Sequence, residues 1–165
     1  MRPEKATDRR AAFTLIEMLV VLVIMAFAAA MVVPMVVGVG GVQALSATRI
    51  IVSDLQYAQN YAITNQRQTT VEFLDGKASY KLYNASETLK HPMTNKDYVV
   101  ELVGQQGLNE LVPLDAQFAT PLKVTFDELG SPDNGGYVNV QGGKDKFRID
   151  VAAVTGTITY RQVGP

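Results

Sequence analysis

The sequence predicts an α+β chain: a long N-terminal helix, transmembrane in its first half, packed through its second half on a β-rich C-terminal domain. Three observations carry this reading. From Ala11 to Thr48 the only charged residue is Glu17. From Leu45 to Ile63 apolar residues recur at three- and four-residue spacing, the period of an amphipathic helix. Beyond Gln68, short runs alternate apolar with polar residues and are separated by Gly, Pro, Asn and Asp. The expected division is a leader at 1–12, a membrane half of the helix at 13–41 and an extracytoplasmic domain at 42–165. That domain comprises an amphipathic helix over 43–66 and a β-rich part over 68–165.

The first twelve residues carry Arg2, Lys5, Arg9 and Arg10 against Glu4 and Asp8. From Met18 to Val37 every residue is uncharged and most are apolar. A helix rising ~1.5 Å per residue needs about 20 residues to cross a ~30 Å hydrocarbon core, so this stretch is long enough to span. Basic residues stay on the cytoplasmic side, which places the N-terminus inside and the rest outside. A cleaved secretory signal is one alternative, because Ala26-Phe27-Ala28 and Ala28-Ala29-Ala30 both fit a small-x-small cut site. A plain uncleaved anchor is another, but it gives Glu17 no purpose. An acid inside an apolar helix costs free energy and calls for a partner. If the chain were cut before Phe13, a new α-amino group, with a reference pKa of about 8, would lie four residues from Glu17. The helix dipole also favours a carboxylate in the first turn.

Pro34 lacks a backbone donor, so a kink is expected there. Gly38, Gly40 and Gly41 weaken the helix further, each by about 1 kcal/mol relative to alanine. A helix end with a linker and a single long helix that bends are both consistent with the stretch 34–41. Periodicity resumes with Leu45, Thr48, Ile51, Val52, Leu55, Ala58, Ala62 and Ile63 as the face expected to pack on the domain. Arg49, Ser53, Gln56, Asn60 and Arg67 fall on other faces. A continuous helix from Phe13 would be ~80 Å long. Next come TTVEFL and KASYKLY around Asp75-Gly76, a hairpin signal for a type I′ turn. Further strands are expected within 97–103, 122–128, 137–141, 147–153 and 157–161. The stretch 84–121 is the least regular, with a short helical piece near Gln105–Leu111.

Composition removes several function classes. The chain has 165 residues, 15 basic against 16 acidic, one histidine and no cysteine. Disulfides, thiol catalysis, zinc ribbons and a His-rich metal centre are excluded, and no net charge points to nucleic acid. His91, before Pro92, reads as an exposed loop residue. Asp127 and Glu128 are adjacent in a strand-like run, so they face opposite ways and do not form a catalytic pair. Asp133-Asn134 before Gly135-Gly136 lacks the ligand spacing of a calcium loop and reads as a turn. No serine or threonine sits in a nucleophile motif. No enzyme activity, cofactor or metal is expected.

Ala12 followed by FTLIEMLVVLVIMAFAAAMVVP resembles the N-terminus of type IV pilins and type II secretion pseudopilins. The resemblance implies that a prepilin peptidase cuts between Ala12 and Phe13 and that Phe13 becomes N-methylphenylalanine. Glycine usually precedes the cut in that family, where this chain has the similarly small Ala12. The resemblance also gives Glu17 a role in assembly, meeting the Phe13 amine of a neighbouring subunit. The second half extends the likeness. DLQYAQNYAITNQ leads into a hairpin, VTFDELGSP comes much later, and VTGTITY opens the last strand, an order similar to minor pseudopilins of the H type, the GspH/FimT family. The implied protein is an inner-membrane, single-pass subunit with a periplasmic domain. It would be a minor, tip-associated pseudopilin of a type II secretion pseudopilus. Its partners would be other pseudopilins or pilins, a prepilin peptidase and methyltransferase, and an assembly platform with its ATPase. The alternatives are a minor pilin of a type IV pilus, used in adhesion or DNA uptake, and a secreted binding module.

Overall fold

The computed structural model describes residues 13–37, 39–85, 87–104, 108–120 and 122–164, with only the backbone described over 31–37. The expected leader at 1–12, including Ala12, lies outside the described residues. The chain divides into two compact units, Met1–Val37 and Gly38–Pro165.

In the first unit one helix, α1, runs Leu15–Val37. Its described side chains, through Ala30, are all exposed. Pro34 sits in the last turn, where its missing N–H leaves the Ala30 carbonyl without the usual helical donor. Among the described residues no helix is long and apolar enough to cross a membrane.

The second unit opens with helix α2, Val39–Asn65. It starts four residues earlier than the expected 43 and includes both Gly40 and Gly41, so these glycines are helical and not a linker. Their purpose is proximity. A Cβ at Gly40 would stand 2.7 Å from the backbone nitrogen of Gly143, and one at Gly142 would stand 2.5 Å from the Gly40 carbonyl. Along α2 the fully covered apolar positions are Ala44, Ala47, Ile51, Leu55, Ala58 and Ala62. Thr48, Ile51, Leu55, Ala58 and Ala62 of the expected face are thus covered, and three others are not. Leu45 and Val52 lie on its flank, only partly buried, and Ile63 is 41% exposed. Small side chains occupy both ends of this face, where they let the helix backbone come close to the strands, and Ile51 and Leu55 fill its middle.

Nine strands follow: β1 Thr69–Phe73, β2 Ser79–Asn84, β3 Glu87–Thr88, β4 Val99–Glu101, β5 Asp115–Phe118, β6 Lys123–Phe126, β7 Gly136–Gly142, β8 Asp145–Val151 and β9 Ile158–Gly164. One antiparallel sheet has the order β3-β2-β1-β6, with β4 sharing the outer edge of β2. The other has the order β5-β7-β8-β9. α2 packs on β1 and β6 of the first sheet and on β7, β8 and β9 of the second. The core fills the space between, with Val71, Tyr80, Leu82, Val124, Phe126, Val138, Val140 and Ile149 fully buried.

The β1–β2 hairpin forms as expected, with Phe73 opposite Tyr80, but its turn differs. Gly76 has φ 65° and Asp75 does not share the positive φ, so a type I′ pair is absent. The loop widens to Leu74–Ser79, closed by the Leu74 N–H donating to the Ser79 carbonyl at 2.9 Å. The tight two-residue turn is instead Gly143-Lys144, between paired Gly142 and Asp145, with Gly143 at φ 59°. The helical piece expected near Gln105–Leu111 is not found in its described part: 109–110 form a turn, and Leu111 bridges to Gly142. β3 and β5, unexpected from the sequence, supply order within 84–121. Strand β9 is exposed on nearly every residue, and only Ile158 packs against the core.

The glycine contacts make opposite predictions for two neighbouring substitutions. Gly40→Ala should gain helix propensity of about 1 kcal/mol yet destabilise the domain, because it meets backbone that cannot rotate away, an overpacking cost of about 1–3 kcal/mol. Gly41→Ala meets only the Asp145 side chain and should be close to neutral. Urea unfolding midpoints check both; equal midpoints would mean that the helix and the β7–β8 turn are not in contact.

Candidate functional site: the N-terminal assembly segment and the α2 anchor

Two constellations carry the functional residues, one in each unit. At the start of α1, Thr14 is the cap. The Glu17 N–H donates to Thr14 Oγ1 at 3.2 Å and to the Thr14 carbonyl at 3.1 Å. Thr-Leu-Ile-Glu is therefore a capping-box sequence, with threonine at the cap and glutamate three residues on. The sequence reading missed Thr14 as the cap, although the spacing shows it. Glu17 lies in the first turn, where the unsatisfied N–H groups favour a carboxylate. Its side chain is exposed, and among the described residues it has no ion-pair partner. Phe13 precedes the helix and is 72% exposed. A helix that is apolar all round is stable only when lipid or other helices cover it.

In the second unit the polar residues of α2 hold the domain together. Asp54 accepts hydrogen bonds from the Tyr80 hydroxyl at 2.5 Å and the Tyr98 hydroxyl at 3.1 Å, tying the helix to β2 and to the residue just before β4. Burial raises the Asp54 carboxyl above its usual range, while the two tyrosine hydrogen bonds and His91 pull it back. Burial, and then the Asp54 charge, push the Tyr80 and Tyr98 hydroxyls upward. His91 corrects the expectation of an exposed loop residue. It is half-buried against Tyr98, with ring centroids 4.7 Å apart, and its Nδ1 accepts the Met93 N–H at 3.2 Å. Gln43, near the start of α2, accepts the Glu110 N–H at 2.9 Å.

The three C-terminal sequence motifs meet at Gln59. Its Nε2 donates to the Gly130 carbonyl at 2.8 Å and to the Gly156 carbonyl at 3.4 Å. Gln59 belongs to DLQYAQNY, Gly130 to DELGSP and Gly156 to VTGTITY. Gly130 has φ 82° and lies under Ile63; Gly156 has φ 63° and lies against Gly130. Asp127 is past the end of β6, contrary to the strand-like reading. Its Oδ1 accepts the Leu129 and Ser131 N–H groups, holding this turn. Asp133 Oδ1 likewise accepts the Thr125 and Asn134 N–H groups, as expected of a turn residue. These groups are engaged in holding backbone, and the arrangement is that of a scaffold.

The chain matches the family model of the prokaryotic N-terminal methylation motif over residues 7–33. It matches that of type II transport protein GspH over residues 47–156. No curated protein sequence matches it. Among solved structures it is similar to the type IV minor pilin FimU of Pseudomonas aeruginosa strain PAO1. Identity is 17%, with 73% of this chain and 91% of that one covered and a TM-score of 0.52. It is also similar to the minor pseudopilin EpsH from the Type 2 Secretion System of Vibrio cholerae. There identity is 12%, with 74% and 98% covered and a TM-score of 0.52. The likeness to both shows the pilin-like fold.

The tyrosine–aspartate anchor sets a pH dependence. Folded-state hydroxyls raised above their unfolded value of about 10 give stability that is complete below that pH and lost as pH rises past it. Urea unfolding should show stability falling steeply above about pH 10. Tyr80→Phe should cost about 1–3 kcal/mol at neutral pH, by stripping Asp54 of a partner, and should make the alkaline fall shallower. An unchanged slope in Tyr80→Phe would remove Tyr80 from the alkaline transition.

Proposed function

The chain belongs to the type II transport protein GspH family, and from that premise we propose that it is a minor pseudopilin of a type II secretion pseudopilus, held in the inner membrane and assembled after leader cleavage. Pilins and pseudopilins are structural subunits and not enzymes. The observation that carries this reading is one chain joining an N-terminal methylation motif at 7–33 to a GspH domain at 47–156. In this reading a prepilin peptidase cuts between Ala12 and Phe13, and Phe13 is then methylated. The apolar segment 13–41 holds the subunit in the membrane, with the bend near Pro34, and the domain from 42 onward stands in the periplasm. Other pseudopilins cover the apolar surface of α1 in the fibre, and an inner-membrane platform drives assembly. The likeness to the minor pilin FimU favours a second reading, a minor pilin of a type IV pilus. Deleting the gene and measuring secreted proteins beside surface pili separates the two. Lost secretion with intact pili supports the pseudopilin, and the reverse result overturns it.

The mechanism proposed for Glu17 is charge pairing during assembly. Its carboxylate waits near the membrane surface until the cationic Phe13 amine of an incoming subunit meets it. A charge pair in a low-dielectric bundle is strong when complete and costly when one partner is missing. Because the cap at Thr14 uses the Glu17 backbone N–H, replacing the side chain leaves that hydrogen bond in place.

Two measurements follow. Intact mass of the protein from membranes should correspond to a chain beginning at Phe13 with one added methyl group. A start at Ala29 or Met31 would instead identify a cleaved signal peptide, and an uncut Met1 would mean that Ala12 blocks processing. Glu17→Leu should insert as well as the native chain, because it removes a charge from an apolar helix, but crosslinking to other pilin-like subunits should fall. Glu17→Gln should do the same. Equal crosslinking at equal abundance would remove Glu17 from the assembly mechanism.

A further inference from the structure

Of the seven asparagines in the chain only Asn134 precedes a glycine. It lies in the connection between β6 and β7. Asparagine is a thermolabile residue. The nitrogen of the following peptide bond can attack its side-chain amide carbon, and a side chain on the following residue hinders that approach. Glycine has none. Attack also needs the asparagine backbone to turn until the two atoms meet, which regular structure opposes. Asn60 and Asn65 belong to α2, Asn84 to β2 and Asn139 to β7. Asn95 and Asn109 lie outside these elements but precede Lys96 and Glu110.

Packing requires the pair and leaves its reacting groups open. A Cβ at position 135 would stand 2.9 Å from the Ala153 backbone nitrogen and from the Ala153 Cβ, so glycine is the residue that fits. A Cβ at 136 would collide with the Phe118 ring and the Gln117 carbonyl. Asn134 is half-buried, and neither its side-chain amide nor the Gly135 N–H has a hydrogen-bond partner among the described residues. On the other side of Asn134, Asp133 Oδ1 accepts the Thr125 and Asn134 N–H groups. The loop is therefore held up to Asn134, while no hydrogen bond from the Gly135 N–H restrains rotation about the Asn134 Cα–C bond.

We propose that Asn134 is a site of spontaneous covalent modification in the folded domain. The Gly135 nitrogen bonds to the Asn134 side-chain carbon, the bond from that carbon to Nδ2 breaks, and the Gly135 proton leaves with Nδ2 as ammonia. Water then opens the cyclic imide. Opening at the former side-chain carbon leaves aspartate; opening at the main-chain carbonyl leaves isoaspartate, whose main chain is longer by a methylene. Nothing is oxidised or reduced. Either product adds a carboxylate beside Asp133. Isoaspartate also lengthens the chain immediately before β7, where Gly135 rests on Ala153 and Gly136 on Phe118 and Gln117. The lengthening therefore loosens the start of β7 from β5, where Gly136 pairs with Phe118, and from the turn that follows β8.

The test incubates the full-length chain in detergent micelles at mildly alkaline and at mildly acidic pH and follows every asparagine by peptide mapping and mass spectrometry. Asn134 should lose its amide before any other asparagine and should yield both isoaspartate and aspartate. The loss should be faster at alkaline pH, because the attacking nitrogen must give up its proton. An Asn134 amide that survives in the folded chain through an incubation that strips it from the urea-unfolded chain would overturn the proposal. So would earlier loss at another asparagine, or aspartate as the sole product. Asn134→Gln, whose ring would need one more atom, should keep its amide under the same conditions, and equal loss there would rule out the imide route. Fresh Asn134→Asp carries the new charge on a main chain of native length. Its urea midpoint should match that of the fresh native chain, while the aged chain enriched in isoaspartate should unfold at lower urea. A native midpoint in the aged chain, or an equally low one in fresh Asn134→Asp, would overturn the effect assigned to the lengthened main chain.

Discussion

The domain depends on how near one helix backbone can come to two sheets at once. Nine positions of α2, 40, 43, 44, 47, 48, 51, 55, 58 and 62, face inward, and five of them are glycine or alanine. At the first end the helix touches the β7–β8 turn through bare backbone at Gly40 and Gly142. Ile51 and Leu55 fill the middle. Two small sheets that could not each bury a face alone thereby share a single core, because the element between them is thin. The polar anchors follow from the same closeness. Asp54 and Gln59 have short enough reach to find partners on the sheets only because the helix lies low on them.

Much of this is legible in the residues. The composition break, the amphipathic helix and seven of the nine strands follow from the pattern of apolar residues. The readings that differ from the structure concern packing and turns, which apolar period does not report. Of the expected face, Thr48, Ile51, Leu55, Ala58 and Ala62 are buried, while Leu45, Val52 and Ile63 lie at its flank and Ala44 and Ala47 are covered instead. Gly40 and Gly41 read as helix breakers by propensity, but propensity says nothing of a neighbouring backbone. Asp75-Gly76 suggested the tightest hairpin, whereas the loop widened and Gly143 took the tight turn. The two-residue β3 and the polar β5 have too little alternation to announce themselves. They form because longer neighbours offer them an edge.

The N-terminal segment stands out for a different reason. A lone acid among apolar residues is costly wherever it lies, so the sequence alone marks Glu17. The capping role at Thr14 was equally visible in the spacing but less conspicuous. In the domain, three of the sequence segments singled out converge on Gln59 and hold turns, so they serve the architecture. The likeness to FimU and EpsH at low identity is a likeness of fold.

Strand β9 has a consequence for how the domain comes apart. Its seven residues are held to β8 by the ladder, but only Ile158 reaches the core, and the pairing slips between Lys146 and Phe147, opposite the strand's far end. Cooperative opening follows buried contacts more than hydrogen-bond number. The strand should therefore unzip from Gly164 back toward Ile158 while β7 and β8 stay closed against the helix. Its amide protons would exchange first, and a protease or a fused tag at the C-terminus would reach the chain without melting the core.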